Sequence, residues 1–114
     1  MLVEVIKGYE AQYKDPICFE RGLTVQVLRE DSEFPNWFWC RASSGKEGWV
    51  HRSFLAEAAA TTRSTRPYSA RELTVDRGET GTMIESLDGW IFVRLDSGME
   101  GWLPESHVRT SVAF

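Results

Sequence analysis

The 114-residue chain is poor in the residue types that most small proteins use for cross-linking, metal binding or catalysis. It has two cysteines and two histidines, and no apolar run approaches the length of a membrane span. Cys18 and Cys40 both fall in the first half, so they cannot supply the disulfide framework on which small secreted domains rely. Strand alternation places Cys40 inward and Cys18 outward, which predicts two reduced thiols. No basic start followed by an apolar stretch marks a signal peptide, and a cytoplasmic location is expected. His51 and His107 have no second Cys or His at ligand spacing, so no metal is expected. Gly-rich phosphate loops and local Ser/His/Asp or Cys/His signatures are also missing, and carboxylates such as Glu30 and Asp31 sit in a solvated loop. The expectation is a non-enzymatic protein without cofactors. A basic surplus is lacking too: the formal charge is −4 and neither half is basic, which disfavours nucleic acid and anionic membranes as partners.

What the chain does have is an internal repeat. Trp37-Phe-Trp-Cys-Arg41 lies 53 residues before Trp90-Ile-Phe-Val-Arg94, and the same offset carries Ser44-Gly-Lys-Glu-Gly-Trp49 onto Ser97-Gly-Met-Glu-Gly-Trp102. An offset held across a strand, a turn and a second strand marks a duplicated unit. Upstream of Trp90 the offset becomes 56, from Gly22 to Gly78, because the second loop is three residues shorter. Loops absorb such deletions better than strands do. Each repeat is about 55 residues, near the lower limit for a domain with its own core, so mutual support is expected.

Alternating apolar positions predict strands at Leu2–Ile6, Ile17–Phe19, Leu23–Leu28, Trp37–Arg41 and Gly48–His51 in the first repeat. Val25 and Val27 are placed on the core face, and a loop over Glu30–Asn36. The second repeat repeats the order with Glu72–Val75, Thr82–Glu85, a loop at Ser86–Gly89, and the strands after Trp90. Residues 56–60 could extend as a helical turn, and Thr61–Thr65 is too polar for a strong strand. Gly81 occupies the column of Val25, which predicts a gap in the second core to be filled by a residue such as Leu55. By that reading, truncation after Ala60 leaves a folded first unit, and residues 61–114 alone are unstable. The predicted fold is all-β: two five-stranded small barrels in tandem, over residues 1–57 and 61–110.

These motifs resemble the Src-homology 3 (SH3) family, in its variant bacterial tandem form. Val5-Ile-Lys-Gly-Tyr9-Glu-Ala11 is similar to the family's A-L-Y-D-Y-x-A opening, and Glu72-Leu-Thr-Val75 to its E-L-S-F strand. Arg21-Gly22 and Arg77-Gly78 match the K-G turn, and Gly101-Trp-Leu-Pro104 through Val108 matches the G-[YW]-x-P-x-x-x-V ending. The resemblance implies five-stranded barrels that bind extended, often proline-rich segments in an aromatic groove beside acidic loops. Carried over by position, it implies a first groove of Tyr9, Trp37, Trp49 and Phe54 with the acids Asp31 and Glu33. The second groove would hold Tyr68, Trp90, Trp102 and Pro104 with Glu85 and Asp88. Lys7 and Arg66 stand where the first groove tyrosine belongs, His51 replaces a groove proline, and His107 replaces the last groove aromatic of the second repeat. The resemblance therefore implies a better groove in the first repeat. The expected partner is a protein or peptide. The alternative is a structural or assembly role in which interdomain or homodimer packing consumes the aromatic surfaces, and a third reading is an aromatic cage of Tyr9, Trp37 and Trp49 for a cationic ligand.

Overall fold

The structure, a computed structural model, describes residues 1–57 and 59–111. Among these, regular structure consists of strands and two short 3₁₀ turns. In chain order the strands are β1 (Leu2–Val5), β2 (Cys18–Phe19), β3 (Thr24–Glu30), β4 (Trp37–Ala42), β5 (Glu47–His51), β6 (Thr61–Arg63), β7 (Tyr68–Ser69), β8 (Thr80–Leu87), β9 (Trp90–Leu95), β10 (Glu100–Pro104) and β11 (Val108–Ser111). The 3₁₀ turns cover Arg52–Phe54 and Glu105–His107. Thr61–Arg63 is a strand after all, because backbone pairing with β3 outweighs its polar composition. The helical turn considered for 56–60 includes residue 58, which lies outside the described residues.

The chain forms two compact units, and their boundaries are not those of the sequence repeat. Unit 1 contains Met1–Lys14 together with Arg71–Phe114, and unit 2 contains Asp15–Ala70. Unit 2 is thus an insertion between two parts of unit 1.

In unit 1, one sheet runs in the order β10-β9-β8-β1-β11. The opening strand is central to it. Val3 pairs with both Gly81 and Thr110, and Val5 with Val108, so the first residues of the unit are stitched between two strands that follow the whole insertion in the chain. The core is Val3, Val5, Leu73, Val75, Ile91, Val93, Leu95, Leu103 and Val108, with Met83 and Tyr9 packed against it. Leu73 and Val75 reach it from irregular backbone held by bridges Tyr9–Val75 and Glu72–Trp102.

Unit 2 builds the same design in permuted order. Its sheet runs β5-β4-β3-β6, and β2 pairs with β7. Thr62 of β6 pairs with Val25, as Val3 pairs with Gly81 in unit 1. Leu55 bridges Ser64 as Val108 bridges Val5. Gly22 N–H donates to Ser64 O as Gly78 N–H donates to Val5 O. The opening strand of the second repeat therefore completes the body of the first, and the opening strand of the first completes the body of the second. The two strands differ in sequence, Leu2-Val-Glu-Val5 against Thr61-Thr-Arg-Ser64, but each is followed four residues on by a Tyr-x-Ala motif, at Tyr9 and Tyr68, and the exchange preserves the hydrogen-bond pattern.

Details in both bodies follow from the duplication. The β3–β4 register shifts between Val27 and Arg29, and the β8–β9 register between Met83 and Glu85, leaving Leu28 and Ile84 as the extra residues of matching bulges. Both are exposed, which explains why the alternation read through Leu28 stops one residue earlier and why Val27 is only half-buried. The loop expected at Ser86–Gly89 is shorter still. β8 runs to Leu87, which pairs with Trp90, leaving a two-residue turn in which Asp88 (φ 42°) and Gly89 (φ 97°) are both left-handed. The cysteines lie as expected: Cys18 is exposed, while Cys40 is fully buried and its thiol is pushed up to about 12 by burial.

Gly81 leaves no gap. A Cβ there would lie 2.4 Å from Arg94 O and 2.9 Å from Leu95 Cα, so the glycine permits close approach of β8 and β9. Replacing it with alanine is expected to cost about 1–3 kcal/mol through overpacking against backbone, readable as a lowered midpoint in chemical denaturation. The exchange of opening strands changes which fragments fold. Residues 15–70 alone are expected to unfold cooperatively, whereas deletion of residues 1–14 is expected to strip amide-exchange protection from Ile91 and Val93. Protection of those amides without residues 1–14 would contradict the nested division.

Candidate functional site

The exchange of opening strands also reassigns the aromatic residues. Tyr9 ends the opening segment of unit 1, and its backbone pairs with Val75 in both directions, at 2.9 and 2.8 Å. That pairing sets its ring edge-on to Trp90 at 6.0 Å and to His107 at 5.4 Å. Trp90 opens β9 opposite Pro104. Pro104 in turn stands at the N-terminus of the 3₁₀ turn that carries His107. His107 Nδ1 donates to Gly8 O at 3.2 Å, a bond that orients the imidazole beside Tyr9. Tyr9, Trp90 and His107 are half-buried, so their rings present partly open surface over a buried Pro104.

A carboxylate lies beside this cluster. Glu72 Oε1 accepts the Gln12 backbone N–H at 2.7 Å, and the Tyr9 hydroxyl donates to the same side chain. Burial is the main influence on Glu72 and raises its carboxyl above the usual range, while the bonds from Gln12 and Tyr9 oppose that shift. The Tyr9 hydroxyl is raised well above its ordinary value, first by burial and then by the neighbouring Glu72 charge. A half-buried carboxylate at the edge of aromatic rings is suited to pairing with a cation. Glu72 appears in the sequence only as the first letter of a strand motif. Its link to the aromatics depends on Gln12 and Tyr9, about 60 positions away, which no local pattern reveals.

Of the residues expected to form the first groove, Trp37, Trp49 and Phe54 lie in unit 2 and Tyr9 lies in unit 1. Tyr68, expected in the second groove, lies in unit 2 against Phe54, with ring centroids 4.3 Å apart. Its hydroxyl donates to Trp49 O at 2.6 Å. Trp37 packs edge-on to His51 at 5.2 Å. Trp37, His51, Phe54 and Tyr68 are all buried, between 3% and 7% exposed, so in unit 2 these rings are core rather than open groove. His51 replaces a proline for a local reason: its Nδ1 accepts the Ser53 N–H and caps the turn that Pro104 begins in unit 1. In unit 2 the position matching Glu72 is Pro16, which has no charge.

Trp49 and Trp102 occupy a different rung. Trp49 stands opposite Trp39 with centroids 5.1 Å apart, and the Arg29 guanidinium is 5.5 Å from the Trp49 ring. Trp39 Nε1 donates to Glu47 Oε1 at 2.7 Å, and Arg41 pairs with the same carboxylate. Those two partners hold Glu47 below the usual carboxylate range. Trp102 repeats the arrangement opposite Phe92, at 5.2 Å, beside the Arg94–Glu100 pair. Trp102 is 3% exposed and is a packing residue. Asp31 and Glu33 lie together in the β3–β4 loop, where Asp31 Oδ1 accepts the Glu33 N–H at 2.9 Å. Glu85 is in β8 opposite Phe92, and Asp88 is at the tip of the adjacent turn.

The variant SH3 domain family matches residues 2–58 and again 59–110. The chain belongs to this family. Over 53 residues, 46% of its length, it is 43% identical to the mouse and human SH3 and PX domain-containing protein 2A, covering 4% of those proteins. Over 77 residues, 67% of its length, it is 36% identical to the Drosophila melanogaster SH3 domain-containing protein Dlish, covering 20% of that protein. It thus spans only a small part of the relatives it matches. No solved structure matches it. SH3 domains are non-catalytic modules of protein–protein interaction. Among the described residues no group of acidic, cysteine and histidine side chains could hold a metal, and no helix is long and apolar enough to cross a membrane.

The two SH3 tyrosines should respond differently to loss of the hydroxyl. Tyr68→Phe leaves the Trp49 carbonyl of unit 2 without its donor and is expected to cost about 1–2 kcal/mol in denaturant unfolding. Tyr9→Phe removes a bond at a half-buried site and is expected to cost less.

Proposed function

We propose that this protein is a peptide-binding module whose working groove is in unit 1, formed by Tyr9, Trp90, Pro104 and His107, and that it takes an extended, proline-containing segment bearing a basic residue. One observation carries the reading: the partly open Tyr9–Trp90–His107 cluster lies beside the half-buried Glu72 carboxylate. A polyproline II segment has few backbone and side-chain freedoms left to lose, so stacking on these rings is efficient. A guanidinium or ammonium reaching Glu72 would relieve the burial of that charge, which ties specificity to a cation. Asp88 and Glu85, near Trp90 in the chain, add negative charge on the same unit. The grouping Trp37, Phe54 and Tyr68 is buried in unit 2 and is not part of this open groove.

The test is a titration of the whole chain with a proline-rich decamer containing one arginine, followed by NMR. Shifts are expected at the Trp90 indole and Tyr9 ring. Trp90→Ala is expected to weaken binding at least tenfold, as for a central aromatic of an interface. Glu72→Gln is expected to weaken it roughly tenfold or more, in proportion to a charge-assisted hydrogen bond, and to leave affinity for an arginine-free decamer unchanged. Because a bound cation favours the ionised carboxyl, Glu72 should have a lower pKa in the complex than in the free protein. Binding of the arginine peptide should therefore weaken as pH falls through the raised range of the free carboxyl, and Glu72→Gln should remove that dependence. Shifts confined to Trp37 and Trp49 would refute the assignment.

A further inference from the structure

The corresponding aromatic site in unit 2 is covered by the chain itself. Arg66 stands at the position of Lys7, where the family carries its first groove tyrosine. Its guanidinium carbon lies 3.9 Å from the centre of the Phe54 ring, and Nη2 donates to Ser53 Oγ at 3.3 Å. The preceding residue is fastened to the same turn: Thr65 N–H donates to Phe54 O at 2.8 Å, and Thr65 Oγ1 donates to Ser53 O at 3.1 Å. Residues 65–66 therefore form a strap across the 3₁₀ turn that bears Phe54, and Phe54 is 3% exposed beneath Arg66 and against Tyr68. In unit 1 the equivalent Lys7 is exposed, and His107, the counterpart of Phe54, is half-buried.

The strap also has the composition of a ligand. Thr65-Arg66-Pro67 places an arginine directly before a proline, which biases the arginine towards extended backbone. A basic, proline-containing extended segment is what the groove of unit 1 was argued to take. The electron-rich face of Phe54 attracts a cation whether it is tethered or free, with a preference of roughly tenfold in an equilibrium.

We propose that Arg66 is a tethered occupant of the aromatic groove of unit 2, masking a second site for a basic, proline-containing peptide. The proposal rests on the peptide reading of unit 1 and extends it to regulation: displacement of residues 65–66 converts a one-site protein into a two-site protein.

The test uses the full chain, as wild type, Arg66→Met, which keeps an apolar stem without the cation, and Arg66→Ala. Two measurements are made: relaxation of the Phe54 ring signals by a soluble gadolinium chelate, and titration with the arginine-containing proline-rich decamer. In the wild type the Phe54 ring should stay protected, with one peptide bound at Trp90. In either variant gadolinium relaxation at Phe54 should rise several-fold, and the titration should add shifts at Phe54 and Tyr68 with stoichiometry moving from one to two. Phe54 as protected in both variants as in the wild type would overturn the proposal. So would an exposed Phe54 that ignores peptide while Trp90 responds. A wild type whose Trp90 ignores the peptide would refute the reading of unit 1, and gadolinium relaxation at Phe54 would then decide the masking alone.

Discussion

Everything in unit 1 depends on the pairing of β1 between β8 and β11. Val3 and Val5 are buried to within 2% of complete, and the strand that carries them is hydrogen-bonded on both edges. A two-edged strand contributes its apolar side chains to the core and satisfies two rows of backbone groups at once, so its loss would uncover both. The segment that follows the strand carries Gly8 and Tyr9, which supply the His107 acceptor and the first ring of the aromatic cluster. Stability and site are therefore fixed by one segment, and that segment reaches its sheet across the whole insertion of unit 2.

This arrangement gives the two bodies different fates. In unit 1 the aromatic rings remain partly open, and one of them, Tyr9, lies against a half-buried carboxylate. In unit 2 the matching rings are drawn inward: Tyr68 gives its hydroxyl to the Trp49 carbonyl, Phe54 lies under Arg66, and His51 spends its Nδ1 on the Ser53 N–H. Ser64 shows the same consolidation. Its hydroxyl donates to Glu20 O and accepts from Leu23 N–H at 3.0 Å, bridging a turn that in unit 1 closes by a direct Glu79 N–H to Asp76 O bond. The two bodies differ at Ser64, Arg66, His51 and Pro16, which stand where unit 1 has Val5, Lys7, Pro104 and Glu72.

Much of this was legible in the residues. The repeat, the strands through Trp37 and Trp90, the hairpin at Ser44-Gly45 and its copy at Ser97-Gly98, and the opposite facing of Cys18 and Cys40 all follow from local periodicity and turn chemistry. The bulges at Leu28 and Ile84 did not, because an extra residue in a strand leaves no signal in alternation except its failure. Gly81 looks like a void in the sequence, which shows the missing side chain and not the approaching backbone of β9. Glu72 carries no local signal, because its partners Tyr9 and Gln12 belong to a segment separated from it in the chain by an entire unit.

The amino-acid sequence by itself determined that the chain is all-β, that it contains two SH3 bodies, and which residue types line their walls, since these depend on neighbours within a few positions. Which opening strand closes which body was decided only in three dimensions. Backbone hydrogen bonding is available to either strand in either body, so it does not choose between them. The choice is made by the summed fit of Val3 and Val5 into one core and of Thr62 and Ser64 into the other, and with it Tyr9 comes to stand beside Trp90 and Tyr68 beside Phe54.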